Sequence, residues 1–230
     1  MRRSPLLLAV LLCAAAPVAA QPAAQDQPDP ARYLPPPPAA DSARAAAELD
    51  ELHHLQATST PDELAAAKFD DGHENGTIFA VVLGPAWDMA KLPATAKMID
   101  QLKEAEEAAS SVAKPEFHRP RPWIVDPAIK TCTPHKPGPA LNSYPSGHAT
   151  IGYAMGVVLA SEIPDKAQAI LARSAIFAEN RLVCGYHFRS DIVAGESFGT
   201  VLALRLMQTP AFQADMAASR AELKSAHLIP

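Results

Sequence analysis

Three short polar clusters interrupt a chain that is otherwise rich in alanine and leucine. The first, Lys114-Pro-Glu-Phe-His-Arg-Pro-Arg121-Pro122, holds Lys114, His118, Arg119 and Arg121 within eight residues. The second is Tyr144-Pro145-Ser146-Gly147-His148, and the third runs from Arg181 through His187 to Asp191. Singly, each has an ordinary explanation: a solvated turn, a helix N-cap, a His–Asp pair spaced i,i+4 on one helix face. Together they contain what phosphoryl transfer requires. Planar guanidinium groups grip phosphate oxygens bidentately and a lysine acts as a point charge, which makes Lys114, Arg121 and Arg181 candidate phosphate ligands. Ser146 and Gly147 open a helix, so their backbone N–H groups and the positive end of its dipole are expected to face the anion. His187 is the candidate nucleophile, oriented by Asp191 one turn further on. His148, beside the anion-binding turn, is the candidate general acid. One histidine must be neutral and the other charged, so activity is expected to depend on pH in the acidic to neutral range.

The rest of the composition bounds this reading. The 230 residues suffice for one sizeable domain, and 48% hydrophobic content supplies a core. Twenty Lys and Arg against 25 Asp and Glu give a net charge of −5, which argues against a dedicated nucleic-acid binder. Any bound anion must therefore be held by a local positive cluster. Arg2 and Arg3, the apolar run Leu6–Ala16 and Val18-Ala19-Ala20 form the pattern of a secretory signal peptide over residues 1–20, with cleavage after Ala20. The run is too short to span a membrane, and no segment of the mature chain reads as a span. Export would remove Cys13 and leave Cys132 and Cys184, either as a disulfide closed in an oxidising compartment or as two buried thiols.

Proline is the most skewed residue: 23 in the chain, nine of them between Pro5 and Pro38 and eight between Pro115 and Pro145. Residues 21–40 read as an extended Pro-rich arm. The second group reads as a non-helical stretch that carries Lys114 and Arg121 towards the turn at Ser146. Elsewhere helical patterns dominate. They cover Asp41 to Gln56, then Pro61 to about Lys68 behind a Thr60…Glu63 capping box, and Pro93 to Lys114. Further patterns start at Ile151, run from Pro164 to about Val183, and run from Ile192 to Met207. Asp70 to Gly76 is a polar turn, and Thr77 to Leu83 is either a strand or part of a buried helix. The sum is an all-α fold with one helical domain from about 41 to 230.

Lys114, Arg121-Pro122, Pro145-Ser146-Gly147-His148, Arg181, His187 and Asp191, in that order and at those gaps, resemble the three-part motif of the type-2 phosphatidic acid phosphatase superfamily. Ser143 to His148, Cys184-Gly185-Tyr186-His187 and the Tyr33-Leu34-Pro35-Pro36-Pro37-Pro38 entry are similar to its secreted bacterial branch, the class A non-specific acid phosphatases. The resemblance spans about residues 33 to 209. It implies a single helical domain of the phosphatase/haloperoxidase type, a phosphohistidine on His187 and leaving-group protonation by His148. It also implies phosphate contacts from Lys114, Arg121, Ser146, Gly147, His148 and Arg181, small phosphomonoester substrates, no metal or other cofactor, vanadate as an inhibitor and a periplasmic or secreted location; homo-oligomerisation is left open. The sequence departs from the family pattern at Asn180, where Ser is usual, at Ala149, where Thr is usual, and at Asn142, where Gly is common. Asn180 is expected to tune Arg181, and Ala149 to remove a hydroxyl near the phosphate turn. His118 and Arg119 fall outside the fixed positions and are expected at the rim. His53-His54 has no evident acidic partner for a metal site, and Asn75-Gly76-Thr77 is a chance glycosylation match. A vanadate-dependent haloperoxidase uses a similar residue set and is the nearest enzymatic rival; a non-catalytic periplasmic oxyanion-binding protein is the rival from another class.

Overall fold

A computed structural model describes residues 28–135 and 141–230; the leader read at 1–20 lies outside the described residues. Those residues form helices and turns, with no strand among them. The helices are α1 (Pro30–Tyr33), α2 (Ala43–Thr58), α3 (Pro61–Asp71), α4 (Ala80–Leu83), α5 (Pro93–Phe117), α6 (Pro122–Val125), α7 (Gly147–Glu162), α8 (Ala167–Val183), α9 (Arg189–Leu206) and α10 (Pro210–Ser225). None of the described helices is long and apolar enough to cross a membrane.

Local rules explain most boundaries. The Thr60 hydroxyl accepts from the Glu63 amide at 3.3 Å and a Glu63 carboxylate oxygen accepts from the Thr60 amide at 2.7 Å, so both halves of the expected capping box form. Ser146 caps α7 in the same way, accepting from the Ala149 amide at 3.3 Å. The ambiguous run Thr77 to Leu83 is resolved as a 3-10 turn, Gly76–Phe79, leading into α4; Asn75 caps that turn by accepting from Thr77. α5 runs past Lys114 and through Pro115, ending where His118 takes a left-handed conformation (φ 46°). Lys114 therefore sits on the last turns of the helix read over Pro93 to Lys114, and the non-helical stretch read from the prolines begins only after Phe117. α10 was not among the expected helices, although Thr209-Pro210 carries the same cap-and-proline signal as Thr60-Pro61.

The buried core is centred on α7, which packs along both α8 and α9, with α5 beside it and α10 closing the far side of α5. Its Ile151, Ala154, Met155, Val158 and Leu159 are buried with Leu102 of α5, Phe177 of α8, Leu202 of α9 and Phe212 of α10. α9 approaches the first turns of α7 closely. A Cβ on Gly199 would lie 2.2 Å from the Thr150 carbonyl oxygen, so only glycine permits this spacing. Asp191 on α9 is thereby brought to the chain entering α7, where its carbonyl accepts from the Ser146 amide at 3.0 Å.

The arm read as extended over 21–40 is described from residue 28 onward, where it is docked on the domain and carries the short α1. Leu34 is buried against Ala109, Tyr144 and Phe198, and the Tyr144 hydroxyl donates to the Pro35 carbonyl at 2.6 Å. Cys132 and Cys184 form a disulfide, with Cα atoms 4.7 Å apart. The bridge ties the segment before residue 135 to the C-terminal end of α8. Gly185 follows with a positive φ of 66°, and a Cβ there would meet the Lys130 carbonyl oxygen at 2.4 Å.

Candidate active site

The three polar clusters meet where α5 ends, α7 begins and α8 passes into α9. His187 lies in the connection between α8 and α9 and is 2% exposed. Its Nδ1 is 3.3 Å from Asp191 Oδ2, while its Nε2 faces Arg121 Nη1 at 2.9 Å. An arginine N–H can only donate, so Nε2 is the lone-pair side of the ring and Nδ1 carries the proton towards Asp191. Burial, followed by the charges of Arg121, Arg181 and Lys114, pushes the His187 pKa well below 6.5 and keeps the ring neutral.

Asp191 is itself surrounded by donors. It accepts from Arg119 Nη1 at 2.6 Å, Ser143 Oγ at 2.6 Å and the Phe188 amide at 2.9 Å. Burial nevertheless pushes its carboxyl up, to about 6, against the opposing pull of Arg119, Ser143 and the Phe188 amide. Arg119, expected at the rim, is only 7% exposed. It donates to Ser190 Oγ at 2.5 Å and to Glu48 Oε2 at 2.7 Å as well as to Asp191, and stacks over Phe188. The correction follows from packing: α2 lays Glu48 over this end of α9, and the buried carboxylates of Glu48 and Asp191 require a cation between them. His118 is exposed, as expected.

Arg121 is fixed by its own neighbours. Its Nε donates to Asn142 Oδ1 and its Nη1 to the Tyr186 carbonyl, both at 2.8 Å. Burial lowers its pKa to about 10, still far above neutral pH. Asn142, one of the departures from the family pattern, is thus a positioning residue for this guanidinium. Arg181, 4% exposed, donates from Nη1 to Asp71 Oδ1 at 2.6 Å, and its Nε is a buried donor without an acceptor. Lys114 sits close enough to Arg121 and Glu106 for their charges to act on it, and burial lowers its pKa. Gly147 lies against Glu106, whose Oε1 would be 2.7 Å from a Cβ there. Burial raises the pKa of this Glu106, which accepts a hydrogen bond from Ser110.

The expected pair of backbone donors at Ser146 and Gly147 needs correcting. The Ser146 amide is already used by the Asp191 carbonyl, and its hydroxyl serves as the cap of α7. The remaining helix-start amides, those of Gly147 and His148, have no acceptor within their own helix. Ala149 points into the core against Gly195, so its lost hydroxyl is not at the phosphate turn. Asn180 donates to Asp70 Oδ2 at 2.7 Å, and the same Asp70 is gripped by Arg173. It acts on the neighbour of Asp71, not on Arg181 itself.

His148 is 2.7 Å through Nδ1 from Glu74 Oε1 and stacks on Phe177, with ring planes 23° apart. Burial and then Arg181 lower its pKa from 6.5, against the pull of Glu74. Asp71, Glu74 and Tyr186 were not singled out from the sequence. Thr133 bridges two of them, donating to Asp71 Oδ2 at 2.7 Å and lying 2.7 Å from the Tyr186 hydroxyl. A signal existed: Asp70 and Asp71 end a helix, where negative charge opposes the dipole, so each needs a cation from elsewhere. Arg173 and Arg181 supply them. Away from this cluster, the acidic partner that His53 was not expected to have is Asp126, at 2.9 Å.

Comparison with known proteins bears on the family and the fold. The family model described as "PAP2 superfamily" matches residues 105–214. An acid phosphatase of Zymomonas mobilis is 34% identical over 202 residues, covering 86% of this chain and 76% of that protein. A non-specific acid phosphatase of Salmonella typhi is 33% identical over 199 residues, covering 83% and 78%. The crystal structure of a transmembrane PAP2-type phosphatidylglycerolphosphate phosphatase from Bacillus subtilis superposes with a TM-score of 0.52. At 12% identity, over 72% of this chain and 85% of that one, it shows a shared fold alone.

Proposed function

Because the chain belongs to the PAP2 superfamily, among its non-specific acid phosphatases, we propose that it hydrolyses small phosphate monoesters through a phosphohistidine on His187. The observation that carries the reading is the state of that ring: Nδ1 is committed to Asp191, and the Nε2 lone pair accepts from the guanidinium of Arg121.

Substrate phosphate takes the place of the Arg121–His187 hydrogen bond and also satisfies the unpartnered Nε–H of Arg181. Arg121, Arg181 and Lys114 hold the non-bridging oxygens, with the helix-start amide of Gly147, and their grip tightens on the five-coordinate transition state. The Nε2 lone pair of His187 forms the P–N bond as the P–O bond to the alcohol breaks, and His148 gives its proton to the departing oxygen. Asp191 stabilises the positive charge that grows on His187. A water then attacks the phosphohistidine and returns its proton to His148, and cleavage of the P–N bond regenerates His187 and releases phosphate. The charge compensation comes from three fixed cations, so activity is expected to persist in chelators, with vanadate as an inhibitor.

The proposal includes export to the periplasm or beyond. The leader pattern over residues 1–20 supports it, and so does the Cys132–Cys184 bridge, a type of bond that persists in oxidising compartments.

The direct test is release of p-nitrophenol from p-nitrophenyl phosphate, together with acid-quench trapping of an acid-labile phosphoenzyme. Phosphate binding without turnover would replace this reading with an oxyanion-binding protein. Peroxide-dependent bromination after vanadate loading, without phosphatase activity, would replace it with a haloperoxidase.

A further inference from the structure

We infer that Glu74 is a positioning residue that holds His148 as proton donor to the leaving oxygen, and that it thereby fits the site to alkyl phosphomonoesters. The inference rests on the phosphatase reading and assigns the Asp70–Gly76 turn a part in it.

The geometry divides the two ring nitrogens of His148. Glu74 Oε1 takes Nδ1 at 2.7 Å, while Nε2 has only the distant Asp71 carbonyl at 3.5 Å. A contact that long is a poor hydrogen bond, so the Nε2 proton is available to a leaving oxygen. Phe177 fixes the ring plane from below. The charges around the ring come from every element packed there: Arg181 on α8, Asp71 at the end of α3, Glu74 in the turn, and Lys103, Glu106 and Lys114 on α5, with His187 and Arg121 across the cleft.

Of the nearby carboxylates, Asp71 is paired with Arg181 and Thr133, and Glu106 takes a hydrogen bond from Ser110 beside Lys114. Glu74 is the carboxylate left for His148; its other cation, Lys103, stands off at 3.9 Å. Burial alone would raise the Glu74 pKa, but the His148 hydrogen bond and the charges of His148, Lys103 and Arg181 hold it at about 2. It therefore stays ionised through the working range and opposes both burial and Arg181, which disfavour the imidazolium.

The substrate class follows from the leaving group. An alkoxide is a strong base and leaves slowly unless it is protonated in the transition state; a nitrophenolate leaves without that help. A site that holds a second histidine ready as an acid is built for alcohols. The test compares kcat/KM, which reports phosphoenzyme formation, for glycerol 2-phosphate and p-nitrophenyl phosphate in wild type, Glu74→Gln and Glu74→Asp. Glu74→Gln is expected to lose about tenfold or more on the alkyl ester relative to the aryl ester, less than the roughly 10²- to 10⁴-fold of a whole general acid because His148 itself remains. The falling limb of its pH profile should move to lower pH, and Glu74→Asp should recover part of both. Equal losses on the two esters, or an unmoved pH limb, would overturn the assignment while leaving the phosphatase reading intact. A wild type that neither turns over p-nitrophenyl phosphate nor forms a phosphoenzyme would instead remove the reading beneath it.

Discussion

Both histidines of the cleft have a carboxylate partner, and the two carboxylates are held differently. Asp191 is wholly buried and shared among Arg119, Ser143, the Phe188 amide and His187. Glu74 lies in a turn at the cleft edge, partly open to solvent, with His148 as its close partner. In the proposed mechanism the buried pair surrounds a ring that must stay neutral to attack, and the pair at the cleft edge supports a ring that must carry a proton to give away. The same pairing of imidazole and carboxylate thus leaves the two rings with unequal proton affinities, His187 being lowered further than His148. What differs is burial first and then the cations facing the ring, Arg121, Arg181 and Lys114 at His187 against Arg181 at His148, where Glu74 pulls the other way.

The most severe way to break the comparison is to delete the attacking ring. His187→Ala is expected to abolish the trapped phosphoenzyme and to lower kcat by roughly 10⁴-fold or more, the scale seen when a nucleophile is removed from a hydrolase. Asp191→Asn keeps the shape but lets the ring take the wrong tautomer, and kcat should fall by about 10³- to 10⁴-fold. Arg119→Met probes the same pair from behind. With its cation gone, the Asp191 pKa climbs further and buried Glu48 loses its close cation, keeping Ser190 and the more distant, exposed Arg44, which should lower thermal stability by about 3 kcal/mol while kcat drops less than in Asp191→Asn.

The pH profile sharpens the comparison without a mutation. The proposed mechanism needs His187 unprotonated, so kcat/KM is expected to rise as pH climbs through its pKa, and needs His148 protonated, so kcat/KM is expected to fall as pH climbs through that one. Both are lowered from 6.5, His187 the further, which places both limbs on the acid side and the optimum below neutrality. The smallest effect is expected at the periphery. Opening the Cys132–Cys184 bridge by Cys132→Ser should reduce stability by about 2–4 kcal/mol in denaturant melts and weaken substrate binding modestly, as Thr133 loosens from Asp71.

The catalytic pattern was legible because it is built from residue types with fixed chemistry at fixed gaps. Lys114, Arg121, His148, Arg181, His187 and Asp191 do converge, and the helices that carry them begin and end near their proline and hydroxyl caps. What stayed hidden was the set of contacts between clusters. Arg119 reads as one more charge beside a proline until α2 brings Glu48 over it. Ser146 offers an amide until α9 arrives with the Asp191 carbonyl. Asp71 and Glu74 lie in a stretch whose polarity alone spells a turn; their meaning depends on Arg181 of α8 and His148 of α7, 110 and 74 residues further along the chain respectively. Such pairings are set by tertiary packing, which no local periodicity encodes.

The Asp71–Arg181 contact alters what it means for this enzyme to bind phosphate. The guanidinium already holds, through Nη1, an anion supplied by its own chain, so in the proposed mechanism a phosphate docking at the unpartnered Nε–H shares the cation with Asp71, and its net affinity is reduced by the repulsion between two anions at one cation. Part of the cation's attraction is spent on Asp71 throughout, which would weaken the hold on the departing phosphate as well as on the substrate. A hydrolase whose product carries the same charges that its substrate is gripped by gains turnover from a built-in competitor.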